Sequence, residues 1–151
     1  MRALVLILAL SACVNEPGTI ADVHTGVTGT HSRMYPAAST LLSNLNASAL
    51  VATKNGETRY TLGLQYTATG VGWAGFKRAF SFGQEYPYVV TRARVLGCGG
   101  GCTIIEEGLI RMTAAQFKRA AVQGFEFKLV GSDADVIGRV PAEAFREALA
   151  K

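Results

Sequence analysis

Apolar and polar residues alternate with a period of two in the middle of the chain. Large apolar side chains fall on one face of this segment, at Tyr60, Leu62, Leu64 and Tyr66. The residues between them are small or polar, and such alternation predicts a β-strand with one buried face. Asn55-Gly56 stands just before this strand and predicts a two-residue hairpin turn, because both central positions of a type I′ turn need positive φ. The turn sets Val51 opposite Tyr60 and extends the apolar face onto a preceding strand.

The same reasoning predicts further elements along the chain. Strands are predicted over residues 88–96, 104–112, 125–130 and 136–140. Thr113 and Gln116 have the spacing of a capping box, and Gly124 is a stop signal, so we predict a helix over 113–123. Pro141 suits the first position of a last helix.

Two stretches give weaker helical patterns. The spacing of Leu41, Leu42 and Leu45 predicts a short helix within residues 36–46. Residues 70–82 also have helical spacing, but their glycines disfavour a helix and no element is assigned there.

These elements add up to an α+β domain over residues 35–151. We expect an antiparallel sheet of roughly five to six strands with two to three helices packed on one face. A purely parallel sheet is disfavoured because hairpin-length connections join two adjacent pairs of strands.

The N-terminus combines an apolar run with a cysteine. Residues 3–9 are apolar, a single basic Arg2 precedes them, and Leu10-Ser11-Ala12-Cys13 follows. The run is far shorter than the ~20 residues that span a bilayer as a helix. Leu10 is larger than the residue that an ordinary secretory cleavage site has at this position.

These residues resemble the signal peptide and lipobox of bacterial lipoproteins. The resemblance implies that residues 1–12 are removed, that the Cys13 sulfur carries a diacylglycerol, and that the new amino terminus receives an acyl chain such as palmitate. In Gram-negative envelopes, a lipoprotein without Asp after this cysteine generally sorts to the outer membrane. Val14 holds that position, which implies the periplasmic face of the outer membrane if the host is Gram-negative.

The segment after the anchor is poor in large apolar side chains. Residues 13–34 are rich in Thr and Gly, and we interpret them as the lipidated Cys13 followed by a flexible tether. A coil of ~20 residues has a root-mean-square reach of roughly 25 Å. The expected partners are therefore the membrane, through the anchor, and an envelope protein that the sequence does not identify.

The chain has three cysteines, which is an odd number. Assigning Cys13 to lipid leaves Cys98 and Cys102, and an oxidising envelope compartment favours a disulfide between them. Three glycines separate them and suit the tip of a hairpin. In such a hairpin Arg94 lies opposite Glu106, so we expect a cross-strand ion pair between these two residues.

Copper handling is the alternative for this pair. The C-x₃-C spacing of Cys98 and Cys102 resembles the copper-binding loop of certain thioredoxin-like copper chaperones. Soft thiolates suit Cu(I), and His24 or His31 could add a nitrogen ligand. Both histidines lie in the predicted tether, which is a poor platform for a preorganised site. The disulfide is therefore favoured, and the metal site is kept as the alternative.

Charge and motif content disfavour several classes of function. The net charge is +4 and is spread along the chain, whereas nucleic-acid binding needs clustered basic residues. Glu106-Glu107 cannot form a catalytic pair, because neighbours on a strand point to opposite faces. No cofactor motif is present, and the aromatic stretch that includes Trp73 indicates mainly core packing, with a ligand groove if a subset is exposed. We therefore expect a non-enzymatic envelope lipoprotein.

Overall fold

The computed structural model describes residues 15–150, which contain eleven strands and two helices. The predicted signal peptide of residues 1–12 and the predicted lipidation site Cys13 lie outside the described residues. The strands are β1 (Gly18–Asp22), β2 (Val27–His31), β3 (Tyr35–Ser39), β4 (Ser43–Lys54), β5 (Glu57–Thr69), β6 (Phe76–Ser81), β7 (Gln84–Tyr86), β8 (Tyr88–Cys98), β9 (Cys102–Met112), β10 (Phe125–Gly131) and β11 (Asp135–Val140). The helices are α1 (Ala114–Gln123) and α2 (Ala142–Leu149).

The predicted α+β class is wrong, because the fold is mostly β, with 62% strand and 13% helix. One sheet has seven strands in the order β1-β2-β4-β5-β9-β8, with β3 also paired to β4. The second sheet has four strands in the order β11-β10-β6-β7. The additional strands come from segments without a strong period-two pattern, which gain their stability by hydrogen bonding to a neighbouring strand.

The hairpin predicted at Asn55-Gly56 is confirmed. The φ angles are 51° at Asn55 and 80° at Gly56, in the left-handed region that a type I′ turn requires. The register sets Val51 opposite Tyr60, as predicted. This hairpin of β4 and β5 is the centre of the large sheet.

The flexible tether predicted within residues 13–34 is not found in the described part of that segment. β1 and β2 form an antiparallel hairpin from Gly18–His31 to Asp22–Val27, and β2 pairs with β4. Asn15 is also fixed, since its side-chain amide donates to the Met34 carbonyl and its side-chain oxygen accepts from the Met34 N–H, both at 2.8 Å. A composition poor in large apolar residues does not exclude a strand whose stability comes from backbone hydrogen bonds.

The short helix predicted within residues 36–46 is wrong. These residues form β3 and the start of β4, which pair with each other around a tight loop at residues 40–42. Leu45 is 1% exposed and belongs to the period-two apolar face of β4, whereas Leu41 is 98% exposed. The helical spacing of the leucines was therefore accidental, because Leu45 belongs to a buried strand face and Leu41 to an exposed loop.

The core lies between the two sheets and under the two helices. Tyr66 of the large sheet packs edge-on against Phe76 of the small one, with ring centroids 5.1 Å apart. Phe117 of α1 and Phe145 of α2 are both fully buried and pack edge-on at 5.0 Å. Burying a side chain of this size contributes about 1.5–3 kcal/mol each, so the helices are held by their aromatic faces.

The starts of both helices were predicted, although the start of α2 is one residue later than predicted. Thr113 and Gln116 make the predicted capping box, and Gly124 ends α1. Pro141 precedes α2 as its capping residue rather than as its first helical residue.

The C-terminal helix also closes onto the beginning of the described chain. The Thr30 hydroxyl donates to the carbonyl of Ala148. The Arg33 guanidinium donates from Nε to Oε1 of Glu147 at 2.7 Å, and the Tyr35 hydroxyl donates to the same oxygen at 2.9 Å. These contacts join β2 and β3 to α2.

Candidate functional site

Three loops at one end of the two sheets surround a groove of about 680 Å³. They are the β3–β4, β5–β6 and β10–β11 connections. We call this the loop-end groove, and it is lined by Thr40, Leu41, Leu42, Ser43, Tyr66, Val71, Gly72, Trp73, Asp133 and Ala134. The lining is mostly apolar, which is typical of a binding site rather than of a solvated loop cluster.

The apolar side chains of the groove are unusually exposed. Leu41 is 98% exposed, Leu42 50%, Trp73 40% and Val71 39%. Single exposed apolar residues are normal on a protein surface, but a contiguous cluster on neighbouring loops marks an interaction site.

Backbone hydrogen bonds hold the three loops together. The Thr69 N–H donates to the Leu42 carbonyl at 2.9 Å, which joins the first two loops. The N–H of Asp133 donates to the Ala74 carbonyl at 3.1 Å, which joins the second and third. The groove is therefore a fixed feature of the fold.

The buried carboxylate of Glu106 positions the loop that carries Trp73. Glu106 is 7% exposed. The N–H of Ala74 donates to its Oε1 at 2.6 Å, that of Gly75 to its Oε2 at 3.0 Å and that of Phe76 to its Oε2 at 3.4 Å. Hydrogen bonds to an ionised group are stronger than neutral ones, so this carboxylate fixes the backbone next to Trp73.

The predicted ion pair between Arg94 and Glu106 is wrong. Two register shifts, at Val90/Arg92 and at Val95/Gly97, interrupt the β8–β9 ladder. Arg94 therefore lies opposite Ile105, and Glu106 faces the core opposite Ala93. The extra residues of a bulge change which side chains share a face.

Glu107, rather than Glu106, forms an ion pair, and it does so on the outer face of the sheet. It lies opposite Arg92, whose Nε is 3.5 Å from its Oε2. Gln65 donates to the other carboxylate oxygen at 3.2 Å. The two adjacent glutamates therefore point to opposite faces, as predicted for neighbours on a strand.

Cys98 and Cys102 are joined by a disulfide at the tip of the β8–β9 hairpin, with an S–S distance of 1.99 Å. A disulfide offers no thiolate for Cu(I). His24 and His31 belong to the β1–β2 hairpin, and β2 is four strand spacings, or about 19 Å, from β8 across the large sheet. The fold therefore does not bring the histidines to the cysteines, and within residues 15–150 no group of three or more His, Cys, Asp or Glu is arranged to hold a metal ion.

Two tyrosines have strongly shifted titration. Burial raises the pKa of Tyr88 to about 12, and the negative charge of Glu106 adds to the shift. Burial also raises the pKa of Tyr35 to about 12, assisted by its hydrogen bond to Glu147. Burial opposes the ionisation of Glu147, but its hydrogen bonds from Arg33 and Tyr35 outweigh that effect and lower its pKa. Tyr35 and Glu147 are hydrogen-bonded to each other, and all three groups lie outside the lining of the groove.

Two residues of the site were missed or misjudged from the sequence. Leu41 was predicted to lie on one side of a short helix and is instead exposed in the groove. Glu106 was predicted to form a cross-strand ion pair with Arg94, although Ile104, Ile110 and Met112 share its face of β9. A carboxylate in an apolar row was the signal that could have revealed its burial.

Comparisons with known proteins add no identity. No family model, curated protein or solved structure matches this chain. Neither of the helices in residues 15–150 has the length and apolar character needed to cross a membrane.

Proposed function

We propose that this protein is a lipid-anchored envelope lipoprotein whose mature domain is a non-enzymatic interaction module, with the loop-end groove as its contact site. The observation that carries the proposal is the exposure of Leu41 and Trp73 in a groove whose loops are fixed by hydrogen bonds. The lipobox at Leu10-Ser11-Ala12-Cys13 supports the anchor. In a Gram-negative host, the expected location is the periplasmic face of the outer membrane.

The position of Asn15 refines how such an anchor would act. Asn15 is bonded to Met34, and two residues of extended chain span at most about 7 Å. A lipid on Cys13 would thus hold the domain directly at the membrane surface, instead of on a tether of roughly 25 Å.

The anchor is tested by labelling in a bacterial host. The parent chain should incorporate a palmitate analogue and fractionate with membranes, and a Cys13→Ala variant should lose both the label and the membrane association. An unlabelled parent chain whose fractionation is unchanged by Cys13→Ala would refute the lipoprotein assignment.

The contact site is tested by site-specific photocrosslinking in the same host. A photoreactive residue replaces Leu41 in one variant and Val122 in a matched control, since Val122 is 81% exposed on α1, away from the groove. We expect adducts that form at position 41 and are absent at position 122. The same adducts at both positions would contradict a specific role for the groove.

A further inference from the structure

We propose that the loop-end groove rests on the lipid bilayer itself, with Leu41, Leu42, Val71 and Trp73 entering the headgroup region. The proposal rests on the membrane anchor of the proposed function and names the partner of the same site. In this arrangement β3 lies along the membrane, with the lipid anchor near its first residue and the groove just beyond its last.

The chemistry of the two apolar loops fits a membrane interface. The β3–β4 loop and its flanks read Thr40-Leu41-Leu42-Ser43, and the β5–β6 loop begins Gly70-Val71-Gly72-Trp73, so neither segment contains a charge. Tryptophan is enriched where the acyl chains meet the headgroups, because its ring is apolar and its N–H is polar. Asp133 is the single charged residue in the lining of the groove. A mostly uncharged surface matches the headgroup and acyl boundary and offers little to a highly charged protein partner.

The position of the chain end fits the same orientation. Met34, which holds Asn15, directly precedes β3, and Leu41 follows β3 by two residues. The seven residue-to-residue steps from Met34 to Leu41 span at most about 24 Å. β3 pairs with β4 in the large sheet and lies beside β11 of the small sheet, at the seam between the two sheets. The anchor and the groove thus lie at the two ends of β3, within the length of one strand of each other.

The anchor also explains why a modest apolar contact is sufficient to keep the loops in the membrane. Once one point of the chain is held at the membrane, insertion of the loops becomes an intramolecular step at high effective concentration. Stable attachment of peripheral proteins commonly combines a lipid with such a second contact.

Trp73 makes the proposal directly measurable, because it is the only tryptophan in the chain. The mature chain from Cys13 can be coupled through that cysteine to a maleimide phosphatidylethanolamine in vesicles of phosphatidylethanolamine and phosphatidylglycerol. Cys98 and Cys102 are bonded to each other, so they do not compete for the maleimide. Replacing part of the lipid by a brominated phosphatidylcholine then reports contact of Trp73 with acyl chains.

We expect brominated lipid to lower Trp73 fluorescence relative to vesicles without bromine, because an indole at the headgroup level lies beside the acyl chains. Leu41→Asp should abolish most of this loss, since a charge would oppose insertion at a side chain that is 98% exposed. The matched control Val122→Asp changes an exposed apolar residue of α1 and should retain the loss.

Unquenched Trp73 in the coupled parent chain would overturn the proposal, and so would equal quenching in the two aspartate variants. Chemical coupling makes this result independent of whether a cell attaches lipid to Cys13. Absence of the palmitate label in the host would refute the proposed lipoprotein function alone, and the vesicle experiment would still decide the membrane contact.

Discussion

The buried carboxylate of Glu106 gives the sharpest test of how the groove is built. Its Oε1 accepts from Ala74 at 2.6 Å and its Oε2 from Gly75 at 3.0 Å and Phe76 at 3.4 Å. Glu106→Gln preserves the shape of the side chain but replaces one acceptor oxygen with an NH₂ group. That group would face backbone N–H donors, so at least one donor would lose its partner inside the protein.

The expected cost follows from these bonds. A hydrogen bond to a charged group contributes about 1.5–3 kcal/mol, and a buried donor without a partner costs about 1–3 kcal/mol. We therefore expect Glu106→Gln to lower the free energy of unfolding by about 2–4 kcal/mol, because Gln retains one of the two acceptor oxygens.

Glu107→Gln is the matched control. It is the next residue on the same strand, faces outward, and pairs with Arg92 at a side-chain exposure of 24%. A partly exposed ion pair contributes at most about 1 kcal/mol. Both variants should be compared by urea titration, with circular dichroism for the whole domain and Trp73 fluorescence for the loop. A cost for Glu106→Gln no larger than that of Glu107→Gln, at an unchanged urea dependence, would refute the proposed role of the carboxylate.

Three further predictions concern the disulfide, the core and pH. The double variant Cys98→Ser/Cys102→Ser should lose about 2 kcal/mol of stability, since the closed loop is short, and an unchanged urea midpoint would contradict this. Phe117→Ala should cost about 3–5 kcal/mol because the ring is fully buried, against less than about 0.5 kcal/mol for Val122→Ala; equal melting temperatures in calorimetry would be evidence against the assigned core. The pKa of Tyr88 is about 12 in the folded protein, above its ordinary value of about 10. The resulting contribution to the free energy of unfolding is complete below pH 10 and is lost as the pH rises towards 12. The free energy of unfolding, measured from pH 9 to pH 12, should therefore depend less on pH in Tyr88→Phe than in the parent. The same pH dependence in both proteins would refute the raised pKa of Tyr88.

The centre of the large sheet was predictable because its signals are local. Asn55-Gly56 specifies the turn, and the alternation that follows specifies the buried face of β5. The β1–β2 hairpin lacks such signals, since it has no periodic row of large apolar residues. Its stability comes from pairing with β4 and from contacts with α2, and both depend on chain that is remote in sequence.

The candidate site was less predictable, for two physical reasons. The partners of Glu106 are backbone amides, and backbone donors leave no pattern in the side chains. The register shift between Val95 and Gly97 moves Arg94 away from Glu106, and a rule that continues the pairing of the hairpin tip along both strands does not include such an inserted residue. The exposure of Leu41 follows from the tight β3–β4 turn, whereas its spacing with Leu45 had predicted a helix with both leucines on one side.

The hydrogen bond from Thr30 to Ala148 joins residues near the two ends of the described chain. Residues 118 positions apart must meet before β2 can pack against α2. Contacts of such sequence separation slow folding, because the entropy of closing a long loop is lost before the contact forms. A truncation before α2 would leave Arg33 and Tyr35 without Glu147, so β2 and β3 depend on a helix more than 100 residues further along the chain.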